Sequence, residues 1–447
     1  MDLRPIFSPN SRMQRYLEVE AALALAEADL GVIPRVAGEK IASSAHIELL
    51  DAQRIAAGQA TTGHLMVPLV AELARVVGEP EGGWVHWGAT TQNIQQTGDV
   101  LGIRIALQVL TGQLCDVLEG LAELGDRSAN AVMAGRTHWQ QAVPITFGFK
   151  VATWSDVLIR HLERLDQLKP RLLVSMTGGA AGTFASLGHA GPAVQEGVAR
   201  RLGLTAMVVP GRNIVDQFAE LVMILGMAAA TASSIAEEVS RLMAVEFGEV
   251  SETLSEGDVG SSTMPQKRNA KRSGEVVIKA AQIRALVPLA LEAMMQSHEV
   301  DGTRSAMMDH AVEQGCVLSG DVLKALHAVI IGIQLYPERM RSNLALSGGL
   351  ITAEAVMMAL GKVIGRQAAH ELVHHAARVV ATGENDQTFL DVLSADSRVT
   401  AHLSSSEIAG LLDPTSHTGL SASIARTTSA RARAAASRHR PPALSGT

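Results

Sequence analysis

Between Pro210 and Pro265 no proline interrupts the chain, and Phe218, Leu221, Val222, Leu225, Ala229, Ala232, Ile235, Ala236, Val239, Leu242 and Met243 recur at intervals of three and four. Proline removes a backbone donor and breaks helices, so this spacing predicts one long helix with a broad apolar stripe. Such a helix must bury its stripe against comparable neighbours. Proline-poor apolar stretches over roughly 98–124, 145–168 and 274–333 supply them, which predicts long helices packed side by side as a bundle. Aromatic residues make up only 3% of the chain, a composition that suits helix packing better than aromatic-rich sheets. The expected fold class is all-α, with three helical regions and a central bundle of long helices.

Two further amphipathic stretches, 12–30 and 66–77, precede the bundle; Gly78, Pro80, Gly82 and Gly83 then break the chain before Trp84. Gly348 and Gly349 interrupt the pattern again, and shorter helices are expected around 353–360, 366–382 and 406–412. These breaks divide the 447 residues into an N-terminal helical domain (1–97), a central bundle (98–347) and a small C-terminal helical domain (348–430). The Arg-rich, proline-broken residues 431–447 are expected as a flexible, solvated tail. A net charge of -7 and a pI near 6.1 argue against nucleic acid as a partner. Cys115 and Cys316, far apart in sequence, fit buried thiols in a reducing compartment rather than a disulfide framework. A polar start, MDLRPIFSPNSR, and no run of about 18 apolar residues predict a cytoplasmic chain without membrane partners.

Residues Gly257 to Asn269 make a poor core segment: flexible glycines, two adjacent serines, a proline, and the donors Lys267, Arg268 and Asn269. Glycines allow closure over a ligand, and the cations can neutralise carboxylate oxygens as a lid comes down. An ordinary helix connection with solvated charges has the same composition, so the residue order must discriminate.

That order, Gly260-Ser-Ser-Thr-Met-Pro-Gln-Lys-Arg-Asn269, resembles the signature of the fumarase/aspartase superfamily. His86-Trp-Gly-Ala-Thr-Thr-Gln-Asn93 resembles its first block and Gly135-Arg-Thr-His-Trp-Gln-Gln-Ala-Val-Pro144 its second. Phe7-Ser8 to Glu18, LYPERMRSN (335–343) and GGLITAEAVMM (348–358) are most similar to the branch of adenylosuccinate lyase and 3-carboxy-cis,cis-muconate cycloisomerase. The resemblance spans nearly the whole chain. It implies a homotetramer whose active sites each combine the three blocks from three subunits, a small dicarboxylate-type substrate, and neither metal nor organic cofactor.

The resemblance also implies roles. Removing a proton beside a carboxylate creates a doubly charged aci-carboxylate that needs strong electrostatic support. Ser261 would be the base, activated by Lys267 and loop amides, with Ser262 as the other candidate or a carboxylate ligand. His138 would protonate the leaving group, a task within the titration range of imidazole. His86 and His64 match histidines that orient the acid or contact substrate. Thr90, Thr91, Gln92 and Asn93 would bind one carboxylate, although hydroxyls before a helix also serve as caps. Thr137, Gln141 and Asn269 complete the substrate contacts, and Arg212 either reaches the site or stays on the surface. The chain also departs from the branch. Leu3-Arg4-Pro5 stands near the place of an Arg-Tyr-Ser nucleotide motif, and the branch's His-Glu-Arg-Asp wording is replaced within 297–304, so a smaller substrate is favoured. Retention of His138 beside Trp139 favours elimination of a C–N or C–O bond from a substituted succinate over cycloisomerisation. A non-catalytic structural homologue is the remote alternative.

Overall fold

In the computed structural model, residues 1–253, 263–264, 266–382 and 387–442 are described. The described chain is 71% helix and 5% strand. It opens with α1 (Pro9–Asp29), α2 (Arg35–Ser44), α3 (Ala52–Thr62) and α4 (Met66–Val77), followed by α5 (Thr91–Arg127), the hairpin β1 (Val132–Thr137) and β2 (Gln140–Thr146), and α6 (Phe147–Leu172). Then come β3 (Val174–Ser175), α7 (Gly191–Leu202), β4 (Thr205–Ala206), α8 (Asp216–Leu242), β5 (Val250–Glu252), α9 (Lys271–Ala293), α10 (Gly302–Gly332), β6 (Ile333–Leu335) and α11 (Pro337–Ala345). The C-terminal part holds α12 (Ala353–Ile364), α13 (Arg366–Thr382), α14 (Phe389–Ala395), α15 (Ser397–Thr400), α16 (Ser405–Leu411) and α17 (Ser421–His439).

The long helices α5, α6, α8, α9 and α10 pack on one another around a continuous apolar core that includes Leu118, Leu121, Phe147, Leu168, Leu221, Val239, Ile283 and Leu326. A second cluster, under α1, α2, α4 and α7, centres on Leu17, Leu23, Ile41, Leu73 and Val198. A third gathers Val356, Leu360, Phe389, Leu393 and Ile408. Cys115 and Cys316 are buried free thiols, and burial pushes them up to about 11 and about 12.

Several expectations need correction. The helix after Pro210 stops at Leu242, where the chain turns to form β5 paired antiparallel with β6. The stretch 274–333 is two helices, split between Ala293 and Gly302. The stretch expected as helix from 145 begins two residues later, at Phe147, because Ile145 and Thr146 end the second strand of a hairpin. Three helices, α5, α8 and α10, are long and apolar enough to cross a membrane by length and composition, where the sequence led us to expect none. Their apolar windows are 67%, 61% and 56% buried within the protein, because each contributes to the shared core.

The largest correction concerns the chain end. Instead of a solvated tail from residue 431, α17 runs to His439 along α5 and α6. Its alanines Ala425, Ala432 and Ala436 are fully buried, and its arginines reach over the neighbours: Arg431 to Asp156 at 3.1 Å, Arg433 to Asp126 at 2.7 Å. Beyond it, Arg440 bonds both Asp116 (2.8 Å) and Glu119 (2.9 Å). The guanidinium groups that read as solvated instead clamp a face made of small residues.

Candidate active site

The first block enters α5 from a turn. Thr90 precedes the helix in extended backbone, and Asn93, three residues on, accepts a hydrogen bond from the Thr90 N–H at 3.1 Å, which is half of a capping box. The same Asn93 oxygen accepts from Gly179 N–H at 3.0 Å, its amide donates to Met176 Sδ, and the residue is fully buried. Asn93 is therefore committed to tying the turn to the 176–179 segment, not to a substrate. Thr91 opens the helix half-buried.

Gln92 and Arg212 are brought together across 120 residues. Arg212 Nε donates to Gln92 Oε1 at 2.8 Å, the Gln92 amide donates to the Arg212 carbonyl, and Arg212 Nη1 donates to Ala180 O. Arg212 thus belongs to the first block's surroundings, and partial burial lowers its pKa. Gln92 lines a cavity of about 250 Å³ that also holds Arg12, Tyr16, Asp99 and Ser305. Enclosure there pushes Asp99 up to about 6 despite the Arg12 guanidinium at 3.3 Å. His64 is exposed before α4; its Nδ1 accepts from Met66 N–H at 3.3 Å.

His86 sits in the turn ahead of this cap with φ 64°, a left-handed position that costs a residue other than glycine about 1 kcal/mol or more. Its Nδ1 donates to Glu20 Oε1 at 2.6 Å, and Glu20, from the middle of α1, is 1% exposed. Burial lowers the His86 pKa, but the hydrogen bond and charge of Glu20 outweigh it, and the net shift is upward.

His138 and Trp139 form the two-residue tip of the β1–β2 hairpin, with φ 49° and 68°. A two-residue hairpin of this hand needs positive φ at both positions, which normally selects Asn-Gly. Two bulky rings here mark stored strain, the kind of outlier that clusters at functional sites. Both residues are exposed, as is Thr137 beside them. The Trp139 ring lies 5.3 Å from the Arg241 guanidinium at the end of α8, although the residue stays 80% exposed.

The base of this hairpin is fixed by a buried network. Arg136 binds Glu249 through two bonds of 2.6 and 3.0 Å and stacks over Phe247; Glu249 is fully buried and accepts a third bond from Asn343. Gln141, expected as a substrate contact, donates through its amide to the Asn343 carbonyl at 2.7 Å, while its buried Oε1 has no hydrogen-bond partner among the described residues. Gly135 occupies the irregular register of β1, where a Cβ would lie 2.8 Å from the Val143 carbonyl.

Ser261 and Ser262 lie outside the described residues. Lys267 and Asn269 are exposed on the segment leading into α9. The stem of this loop is closed by Glu252, which accepts from the backbone of Arg272 and from both the N–H and hydroxyl of Ser273. No hydrogen bond or ion pair joins the first block to the second among the described residues: one rests on α1 and the 176–182 segment, the other on α11. Sequence reasoning missed Glu20, Glu249, Glu252 and Asn343, all buried polar residues outside the blocks; Asn343 alone sat within a quoted stretch.

Comparison with known proteins follows this geometry. Residues 2–285 match the family model described as lyase, and 349–428 match that of the adenylosuccinate lyase C-terminus. The chain is 39% identical to 3-carboxy-cis,cis-muconate cycloisomerase of Pseudomonas aeruginosa over 93% of this chain and 91% of that one. It is 35% identical to N-acetyl-S-(2-succino)cysteine lyase of Dickeya dadantii, covering 94% and 91%. The crystal structure of a fumarate lyase from a Mesorhizobium species superposes with a TM-score of 0.89 at 33% identity, covering 96% and 97%.

Proposed function

The chain belongs to the lyase family of the fumarase/aspartase superfamily, in the branch with adenylosuccinate lyase and 3-carboxy-cis,cis-muconate cycloisomerase, and from that premise we propose that it catalyses anti β-elimination from a 2-substituted succinate. Fumarate, or a close analogue, is the product. One observation carries this reading over cycloisomerisation: the strained hairpin tip holds an exposed histidine, His138. Expelling an amine or an alkoxide needs an acid at the leaving atom, whereas lactone formation moves a proton only at carbon.

In this mechanism Ser261, or Ser262 beside it, removes the proton from C3. Lys267 and neighbouring donors stabilise the aci-carboxylate, the bond from C2 to the heteroatom breaks, and His138 delivers its proton to that atom. His86, Thr90, Thr91, Gln92 and Arg212 bind and orient the substrate carboxylates. The separation of the two blocks within one chain supports sites shared between subunits of a homotetramer. So do the apolar side chains Met227, Ile278, Leu291 and Met295, which α8, α9 and the residues after α9 leave 43%, 63%, 44% and 57% exposed.

Cycloisomerisation is the second reading, favoured by the 39% identical relative. The test is fumarate release from N-, O- and S-substituted succinates alongside lactonisation of 3-carboxy-cis,cis-muconate. Turnover of a succinate supports elimination; efficient lactonisation with no fumarate from any succinate overturns it.

A further inference from the structure

We infer that Glu20 is a positioning residue for the first block: its buried carboxylate takes the Nδ1 proton of His86 in a hydrogen bond and so delivers Nε2 as the ring nitrogen that meets the substrate. This rests on the reading of His86 as a residue of the eliminating site.

The position of Glu20 is hard to explain by folding alone. It projects from the middle of α1 into the cluster of Leu17, Leu23, Ile41 and Leu73, and it is 1% exposed. A carboxylate in such a place is unfavourable unless paired, and an apolar residue of similar volume would pack there at least as well. Its Oε1 accepts from His86 at 2.6 Å, while Oε2 has no hydrogen-bond partner among the described residues. The interaction spans 66 residues of sequence and joins the first helix to the turn that starts the first block.

The geometry of His86 agrees. Its backbone lies at φ 64°, and its side chain is 17% exposed. With Nδ1 held by a carboxylate, the neutral ring has one tautomer, in which Nε2 carries the lone pair. A second proton then goes to Nε2 and makes it a charge-assisted donor. The upward shift of His86 favours that cation, suited to an anionic group of the substrate.

A second buried carboxyl lies two turns further along α1. Glu27 is fully buried, neither of its oxygens has a hydrogen-bond partner among the described residues, and burial together with the charge of Glu20 pushes it up to about 8. Glu27 is therefore held toward the uncharged acid, and Glu20 is the carboxyl that His86 meets.

The experiment uses the full chain labelled with ¹⁵N-histidine. Two-bond proton–nitrogen spectra report which nitrogen of His86 carries the proton, with the signal assigned by its loss in His86→Gln. Glu20→Leu should fold, release His86 from the Nδ1–H tautomer and lower kcat by at least about tenfold, the scale for a group acting through a catalytic neighbour. Glu20→Gln, whose amide oxygen still accepts, should keep the tautomer and lose part of the rate; it also carries the test if Glu20→Leu fails to fold. Glu27→Gln, a match for the neutral acid, should change neither. A folded Glu20→Leu with the parental His86 spectrum and rate overturns the inference, as does Glu27→Gln moving both readouts as far as Glu20→Leu. If the parent turns over no succinate, the proposed reaction fails, and the spectra still decide whether Glu20 sets the ring.

Discussion

His86 and His138 both stand in left-handed backbone, yet the protein holds them by opposite means. His86 is mostly enclosed and tied by one short bond to a buried carboxylate, so its surroundings govern its charge. His138 is exposed at a hairpin tip, with its position fixed from below by Arg136, Glu249 and Asn343 and its neighbour Trp139 beside Arg241. The contrast separates two ways of preparing an imidazole. One encloses the ring beside a buried carboxyl, and the other sets the residue on a strained, exposed tip above a buried ion pair.

The comparison breaks most sharply at the tip. His138→Gln should lower kcat by about 10²- to 10⁴-fold, the range for loss of a general acid, with Tm unchanged because the side chain supports nothing beneath it. A rate within a few-fold of parental would show that the hairpin does not carry the acid. Next comes the mount: Glu249→Ala strands the Arg136 guanidinium in a buried site and should destabilise by about 3–5 kcal/mol, read by denaturant unfolding. A loss below about 1 kcal/mol would mean that the hairpin is held some other way.

A third histidine sharpens the electrostatic half of the comparison. His161, 3% exposed between α6 and α8, bonds the Thr231 hydroxyl at 2.8 Å and has no carboxylate; burial, with Arg164 and Arg160 nearby, pushes it down to about 4. Burial with a carboxylate raises His86, and burial without one depresses His161. The signs of their linkage therefore differ. The depressed group favours the native state fully above its ordinary value of 6.5 and loses that advantage as pH falls toward 4, by up to about 3 kcal/mol. The raised group contributes fully below 6.5 and loses its contribution as pH climbs through its folded value. Unfolding free energies of His161→Gln between pH 7 and pH 4.5 should show a shallower acid limb than the parent; an unchanged slope would reject the assignment. Smallest of all, Trp139→Gly should move stability by less than about 1 kcal/mol, since relief of the turn strain offsets the lost stack on Arg241. If that variant also lost turnover as fully as His138→Gln, the indole would have to share the chemistry.

The long helices were legible because their apolar residues repeat at three and four, and the segments 66–77 and 366–382 coincide with α4 and α13. The hairpin was not, because His-Trp violates the residue preferences of the turn it forms, and Ile145 and Thr146 read as the start of α6. The chain end misled for a different reason. Alanine gives α17 its buried face and carries little apolar contrast, so arginine dominated the reading. At the site, the blocks announced His86 and His138. Their supports Glu20 and Glu249 were hidden, since a single carboxylate in an apolar run has no spacing to betray it. The internal bonds of Asn93 were hidden too, because a polar residue within a block looks the same whether it faces a substrate or a backbone amide.

The closing helix has a consequence for how the protein is made. Arg440 meets Asp116 across 324 residues of chain, and the alanine face of α17 covers α5 and α6, which leave the ribosome far earlier. Until α17 emerges, the part of α5 and α6 that it covers stays open to solvent. The bundle therefore closes only once a distant stretch of the chain has been made, and a chain lacking α17 would leave that surface of α5 and α6 uncovered.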